Sequence, residues 1–362
     1  MTIRKTATLV ALLLLSSSPF TAQGQGMFGT PEQLAAQAAA EKTYPNLTVD
    51  DQFLELTMPN NTMGETEGVA TNKAGHLFVY SRTGRGGVAR GGTAASLYEF
   101  DDNYKFVKEW APNSYGASFA HAVRVDKYDN VWSVDEGSGM VVKFKPNGHH
   151  VFWLGRVPEA IDYLESEIEI LKYNRPNAKP VPPKPVGRMG EFDRPTDVAF
   201  DSQDNIYVSD GYGNSRVVKI DKTGHWLKAL GTNGSGPDQF STPHAISVDA
   251  KDQVYVADRG NRRIQVYDKD LKFIKSINNI GAPWALCISN TPKQIMWTGD
   301  GTTGRMFRID LDSGKVTGTF VTGQDHGSEN TGDLVHSLDC RDPNTVFIGS
   351  ATMWDVQKVT VK

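Results

Sequence analysis

The 362 residues carry 38 basic and 42 acidic side chains, a formal net charge of −4, and 39% of them are hydrophobic. A mildly acidic chain with no basic stripe does not suit nucleic acid as a partner. The hydrophobic content is ordinary and supports an ample core, and the length fits one closed repeat domain as well as it fits two smaller ones.

In chain order, Arg4-Lys5 followed by the apolar run Ala7 to Leu15 reads as a secretory signal, with cleavage near Ala22-Gln-Gly24. The run is too short to span a bilayer. Residues 1–24 are therefore expected to be a signal peptide of a secreted or periplasmic protein with no membrane anchor once it is removed, and residues 25–50 a lead segment.

From residue 51 to 362 the chain repeats itself. Six segments fall into register: Glu67-Gly-Val-Ala, His121-Ala-Val-Arg-Val-Asp, Thr196-Asp-Val-Ala-Phe-Asp, His244-Ala-Ile-Ser-Val-Asp, Trp284-Ala-Leu-Cys-Ile-Ser and His336-Ser-Leu-Asp-Cys-Arg. Each opens a short apolar strand. After a polar turn a second strand follows, as in Asn130-Val-Trp-Ser-Val-Asp135, Asn205-Ile-Tyr-Val-Ser-Asp210 and Gln253-Val-Tyr-Val-Ala-Asp258. Third and fourth strands follow in the clearest units, Arg216-Val-Val-Lys-Ile-Asp and Trp226-Leu-Lys-Ala-Leu among them. Four strands per unit at a spacing of about 40–50 residues predict an all-β, six-bladed β-propeller; regular self-similarity argues against a β-sandwich. The last unit supplies Thr345-Val-Phe-Ile-Gly and Val356-Gln-Lys-Val-Thr-Val, and Phe53-Leu-Glu-Leu-Thr is expected to complete it from the other end of the chain, joining the ends and covering an edge.

One insertion breaks the rhythm, at 158–190 between units two and three. Its first half, from Glu159 to Lys172, is a helix candidate and its second half, Lys179-Pro-Val-Pro-Pro-Lys-Pro, is stiff and extended. A lid, a protein-partner surface and an inert excursion are all compatible with it. The two cysteines, Cys287 and Cys340, sit in the first strands of units five and six without metal or redox spacing, and buried free thiols are expected.

Three of the eight histidines hold the marker position, in units two, four and six. In a closed six-unit ring, alternate units lie a third of a turn apart, so His121, His244 and His336 can converge on the axis as a three-histidine site with one position open. Zn²⁺ suits neutral imidazoles best; iron and copper share the preference. A hairpin returns to the face where it began. Arg82, Asp135, Tyr212, Asp258 and Arg259 should therefore share the histidine rim, where loops of a rigid scaffold carry function. Near a cation, Tyr212 can lose its proton and act as a base. Arg82 and Arg259 can each grip a carboxylate or pair with a rim acid. Asp135, Asp210 and Asp258 read as caps on loop amides.

Asp210-Gly-Tyr-Gly-Asn-Ser-Arg216, Phe240-Ser-Thr-Pro-His-Ala-Ile and Val256-Ala-Asp-Arg-Gly-Asn-Arg-Arg-Ile-Gln265 resemble the NHL-repeat propeller of peptidyl-α-hydroxyglycine α-amidating lyase, from about Glu65 to the C-terminus. The resemblance implies zinc on His121, His244 and His336, Tyr212 as the catalytic tyrosine, and Arg82 and Arg259 as active-site arginines. It implies cleavage of the C–N bond of an α-hydroxyglycine-type carbinolamide, a small molecule or a peptide C-terminus, to an amide and glyoxylate. It also implies calcium held in part by backbone carbonyls, here those of Val69 and Val123, although Ser337 stands where the family has its calcium-binding Asp. Two other readings of the residues are a metal-dependent propeller hydrolase of the lactonase type and a non-catalytic binding propeller.

Overall fold

A computed structural model of the chain describes residues 29–59, 63–82, 95–155, 187–322, 335–352 and 354–362. The signal region and the helix candidate of the 158–190 insertion lie outside them. Six four-stranded antiparallel sheets form the ring. Their inner strands are Glu65–Thr71, Ala120–Val125, Asp197–Phe200, Pro243–Val248, Pro283–Ile288 and Val335–Asp342. The fold is the six-bladed β-propeller that the repeat predicts. No helix among the described residues is long and apolar enough to cross a membrane.

Neighbouring blades bury apolar faces against each other. Phe78, Tyr80 and Trp110 of blade one pack on Val131, Met140 and Phe144 of blade two, with Trp110 edge-on to both Phe78 and Phe144. Closure is made by the strand Val49–Leu54, which pairs antiparallel with Val356–Val361 as the outer strand of blade six. It begins four residues before Phe53, where the repeat pattern is too weak to read. The lead segment ahead of it holds a helix, Pro31–Glu41, started by a Thr30–Gln33 capping box. Arg305 pairs with Glu41 at 3.4 Å and Arg262 bonds Gln37, which fastens the helix to blades four and five.

The turn geometry places the chemistry. Within each hairpin, Glu65 opposes Arg82, Ala120 opposes Asp135, Pro243 opposes Asp258 and Val335 opposes Ser350. The start of each inner strand and the end of the second strand thus share one rim. The inner strands do not run straight into that rim. In five blades the pairing register shifts at the marker residue itself: at Glu67, His121, His244, Trp284 and His336. A bulged residue is released from the ladder and its side chain is re-aimed.

One expectation is corrected. Cys287 and Cys340 are not free thiols; they form a disulfide across blades five and six, with Cα atoms 5.9 Å apart. Inner strands of adjacent blades are neighbours around the axis, so residues separated by 53 positions meet there without either lying in a loop. Cross-linking a loop of that length removes chain entropy worth about 4 kcal/mol in the unfolded state. The C287S/C340S double variant should therefore unfold at lower urea concentration, losing about 2–4 kcal/mol by linear extrapolation. An unchanged midpoint would show that the bond does not contribute.

Candidate metal centre

His121, His244 and His336 meet on the axis. Their ring centroids lie 4.7, 4.7 and 4.9 Å apart, and one ligating nitrogen from each falls within 4.8 Å of the other two. All three are buried. Their orientation has a single cause, repeated three times. The Nδ1–H of His121 donates to the carbonyl of Thr196 at 2.6 Å, that of His244 to Trp284 at 2.6 Å, and that of His336 to Glu67 at 2.9 Å. Each acceptor is the marker residue of the next blade. A carbonyl can only accept, so each Nδ1 carries a proton, and in the neutral ring Nε2 is left with a lone pair toward the axis. Burial, then the neighbouring imidazole and arginine charges, holds His121 and His244 well below the usual imidazole value, so both are neutral. Three imidazoles with their Nδ1 atoms held on buried carbonyls fit a borderline cation such as Zn²⁺.

Tyr212 reaches the same point from the turn after the second strand of blade three. Its hydroxyl lies 2.9 Å from His244 Nε2 and 3.4 Å from His121 Nε2. With Nε2 unprotonated, the phenol is the donor. Burial raises Tyr212 above its ordinary value, and Arg259 works against that rise. Arg259 Nη1 is 3.4 Å from the Tyr212 oxygen, and its guanidinium lies 4.5 Å from the Trp284 ring centroid. Among the described residues no carboxylate pairs with it.

Arg82 is at the same rim in a different state. Its guanidinium lies 3.1 Å from Glu65, 3.1 Å from Glu67 and 3.5 Å from Glu136; Nε donates to the Ala120 carbonyl and the plane covers Phe119. Three glutamates already claim this arginine. Asp135, Asp210 and Asp258 cap amides: Asp135 accepts from the backbone of Ser118, Phe119 and Ser138, Asp210 from Asp193, and Asp258 from Ser241.

Sequence reasoning named Glu67 as the marker of unit one but gave it no role. Its side chain is fully buried, with one oxygen 2.7 Å from His336 Nε2. Burial opposes its ionisation; His336 and Arg82 outweigh burial and hold the carboxyl below its ordinary value. The register that found the histidines also pointed at Glu67. Glu136, immediately after the strand-end Asp135, carried no such signal.

A calcium ion at the Val69 and Val123 level fits poorly. Those residues stand two positions beyond their markers, as do Leu286 and Leu338. The carbonyls of Leu338 and Leu286 accept from Arg124 at 2.8 and 3.2 Å, and Arg124 is clasped by both oxygens of Asp197 at 2.8 and 2.6 Å. A guanidinium with its own carboxylate therefore lies among the inner-strand carbonyls. Ser337 offers only a buried hydroxyl without a hydrogen-bond partner. Beyond this layer, at the opposite mouth, a cavity of about 580 Å³ opens, lined by Arg124, Asp126, Asp339 and Arg341 and by none of the histidines.

With this geometry in place, likeness to known proteins can be stated. A family model described as a 6-bladed β-propeller matches residues 191–301. The resemblance in sequence is to NHL-repeat proteins and to amidating lyases. NHL repeat-containing protein 3 of Mus musculus is 29% identical over 257 residues, 68% of this chain and 64% of its own. A probable peptidyl-α-hydroxyglycine α-amidating lyase of Caenorhabditis elegans is 28% identical over 354 residues, 88% of this chain and 90% of its own. Peptidylglycine α-amidating monooxygenase of Rattus norvegicus is 28% identical over 70% of this chain, which spans only 28% of that protein's length. Among solved structures, a streptogramin B lyase aligns over 88% of this chain and 98% of its own at a TM-score of 0.53 and 12% identity, and a gluconolactonase of Xanthomonas campestris over 83% and 88% at 0.55 and 12%. At that identity they share the fold.

If the Arg124–Asp197 pair takes the place of a calcium ion, the fold should not depend on calcium. Thermal unfolding should be unchanged, within about 1 °C, by a calcium-specific chelator. Arg124→Met should lower stability by about 3–5 kcal/mol, because Asp197 is left buried and unpaired. A chelator-induced fall in Tm would place calcium back in the fold.

Proposed function

We propose that this chain is a metal-dependent carbon–nitrogen lyase acting on an α-hydroxyglycine-type carbinolamide. The observation that carries this reading is the convergence of Tyr212, Arg259 and three Nε2 lone pairs on one buried point. The similarity to amidating lyases along most of the chain supports it. When bound at the three Nε2 atoms, a divalent cation would polarise the substrate hydroxyl oxygen and favour tyrosinate over phenol.

The chain's own groups take the remaining roles. Tyr212 removes the hydroxyl proton. The oxygen's electrons close to a carbonyl, the C–N bond breaks, and the amide nitrogen gains a proton. The products are a primary amide and glyoxylate. Arg259 is the cation left to hold the substrate carboxylate, since Arg82 is neutralised by its glutamates. Trp284, whose Nε1–H is buried without a partner, adds an unclaimed donor and an aromatic wall at the same place.

The N-terminal signal pattern and the Cys287–Cys340 bond agree with export to an oxidising compartment, secreted or periplasmic. A protein partner for the 158–190 insertion stays a proposal from sequence.

The test is glyoxylate release from N-benzoyl-α-hydroxyglycine by purified protein of known metal content. About one zinc per chain and steady glyoxylate production are expected. Tyr212→Phe should keep the metal and lower kcat by about 10²–10⁴-fold. Arg259→Ala should lower kcat/KM by about 10–100-fold, chiefly through KM. One zinc per chain with no glyoxylate would discard this substrate and keep the site.

A further inference from the structure

The channel has a second chamber, and the repeat shows why it is open. Three positions beyond the six markers stand Ala70, Arg124, Ala199, Ser247, Cys287 and Asp339. All of them line the cavity of about 580 Å³ at the mouth opposite the histidines. Only Arg124 among them is long. Alanine or serine at three of these positions leaves the space unfilled, and Cys287 is committed to Cys340. Arg124, clasped by Asp197, stands between this chamber and the histidine level. The volume falls within the range of small-molecule pockets, about 300–1,000 Å³.

Charge decides what the chamber can hold. Its acids are already engaged by the protein. Asp126 accepts from Trp132 Nε1, from the Asn130 side chain and from the backbone of Tyr128 and Asn130. Asp201 accepts from the Asn205 side chain, the Tyr207 hydroxyl and the backbone of Gln203 and Asn205. Asp204 meets Lys127 at 2.8 Å, and Asp339 takes the backbone and hydroxyl of Thr71 and the backbone N–H of Arg341. The cations are not all matched. Arg124 has Asp197 and Lys127 has Asp204, but among the described residues no carboxylate pairs with Arg341, Lys143 or Lys222.

Arg341 is the best held of the three. It follows Cys340 of the disulfide, its carbonyl accepts from the Asn290 N–H at 3.2 Å, and its Nη2 donates to the Thr71 carbonyl at 2.7 Å. Its Nε is buried without a partner, and its Nη1 makes no hydrogen bond among the described residues. A guanidinium fixed in place with donors to spare suits a carboxylate. Much of the remaining wall is apolar, with Val125, Ile246, Val248 and Ile288.

We propose that this chamber is a second binding site, for a small organic acid with an apolar body. Arg341 grips the carboxylate, and the body lies on Val125, Ile246 and Ile288. The site is separate from the histidine centre and does not depend on a metal there.

The experiment is calorimetric titration of the full chain with 4-phenylbutyrate, after dialysis against a chelator so that no metal-bound carboxylate contributes. Wild type should take one equivalent. The neutral 4-phenylbutyramide, and the acid with the Arg341→Met variant, should each bind at least about tenfold more weakly, because a charge-assisted pair is lost. Ser247→Phe fills the chamber and should abolish binding, whereas Arg259→Ala, at the other mouth, should leave the acid's affinity unchanged. No saturable heat from wild type up to about 10 mM acid would overturn the proposal. So would equal affinity in R341M, or binding lost in R259A and kept in R341M, which would put the acid at the histidine mouth. If R341M or S247F does not fold by circular dichroism, a crystal structure of the wild type with the acid decides. A carboxylate oxygen within about 3.2 Å of an Arg341 nitrogen supports the assignment, and an acid bound only elsewhere defeats it.

Discussion

Everything at the rim depends on one hydrogen bond made three times, from the Nδ1–H of a histidine on an even blade to the carbonyl at the equivalent position on the next blade. It fixes the tautomer, turns each Nε2 to the axis and couples the site to the closure of the ring. The third of these bonds crosses the seam, from His336 on blade six to Glu67 on blade one. Blade six is completed by Val49–Leu54, a strand from the other end of the chain. The geometry of the centre therefore depends on the ring closing, with the inner strands of blades six and one packed directly on each other and Val49–Leu54 completing blade six at its outer edge. An even number of blades is needed for the same reason, because donor and acceptor positions must alternate all the way round.

The repeat made the fold and the histidines legible because a propeller repeats its phase. Once the markers are aligned, the angular position of each follows from its place in the series. The markers are also bulged residues, and alignment does not show this: a bulge is a mismatch between two strands and leaves no mark on one strand alone. For the same reason Glu67 stood in the register without a role. An anion in a series of imidazoles reads as an exception in sequence, whereas in space it lies beside His336.

What sequence could not supply was pairing between blades. For Arg82 the sequence left open a substrate carboxylate or a rim acid; the acids it meets are Glu65 and Glu67 of the facing strand in its own hairpin and Glu136 of the next blade. Cys287 and Cys340 looked like separate thiols because each was read along its own strand, while the bond runs around the axis. Arg259 is the converse case. Its isolation from carboxylates among the described residues, against the Trp284 and Tyr212 rings, appears only once the rim is assembled.

The channel stacks a level where a cation could sit on one that a guanidinium occupies, and a buried acid stands at each. The histidine level lies two residues from the carbonyl level that receives the Arg124 guanidinium, a rise of about 7 Å along the inner strands. A divalent ion and a guanidinium at that separation would repel by about 5 kcal/mol at an effective dielectric constant near 20. Such a cost is a large share of a domain's total stability. It is removed only if each level carries its own anion. Asp197 clasps Arg124 with both oxygens. Glu67 is the buried carboxylate against the histidine level, 2.7 Å from His336 and 3.1 Å from Arg82, so the acid and the base of each level are paired within it.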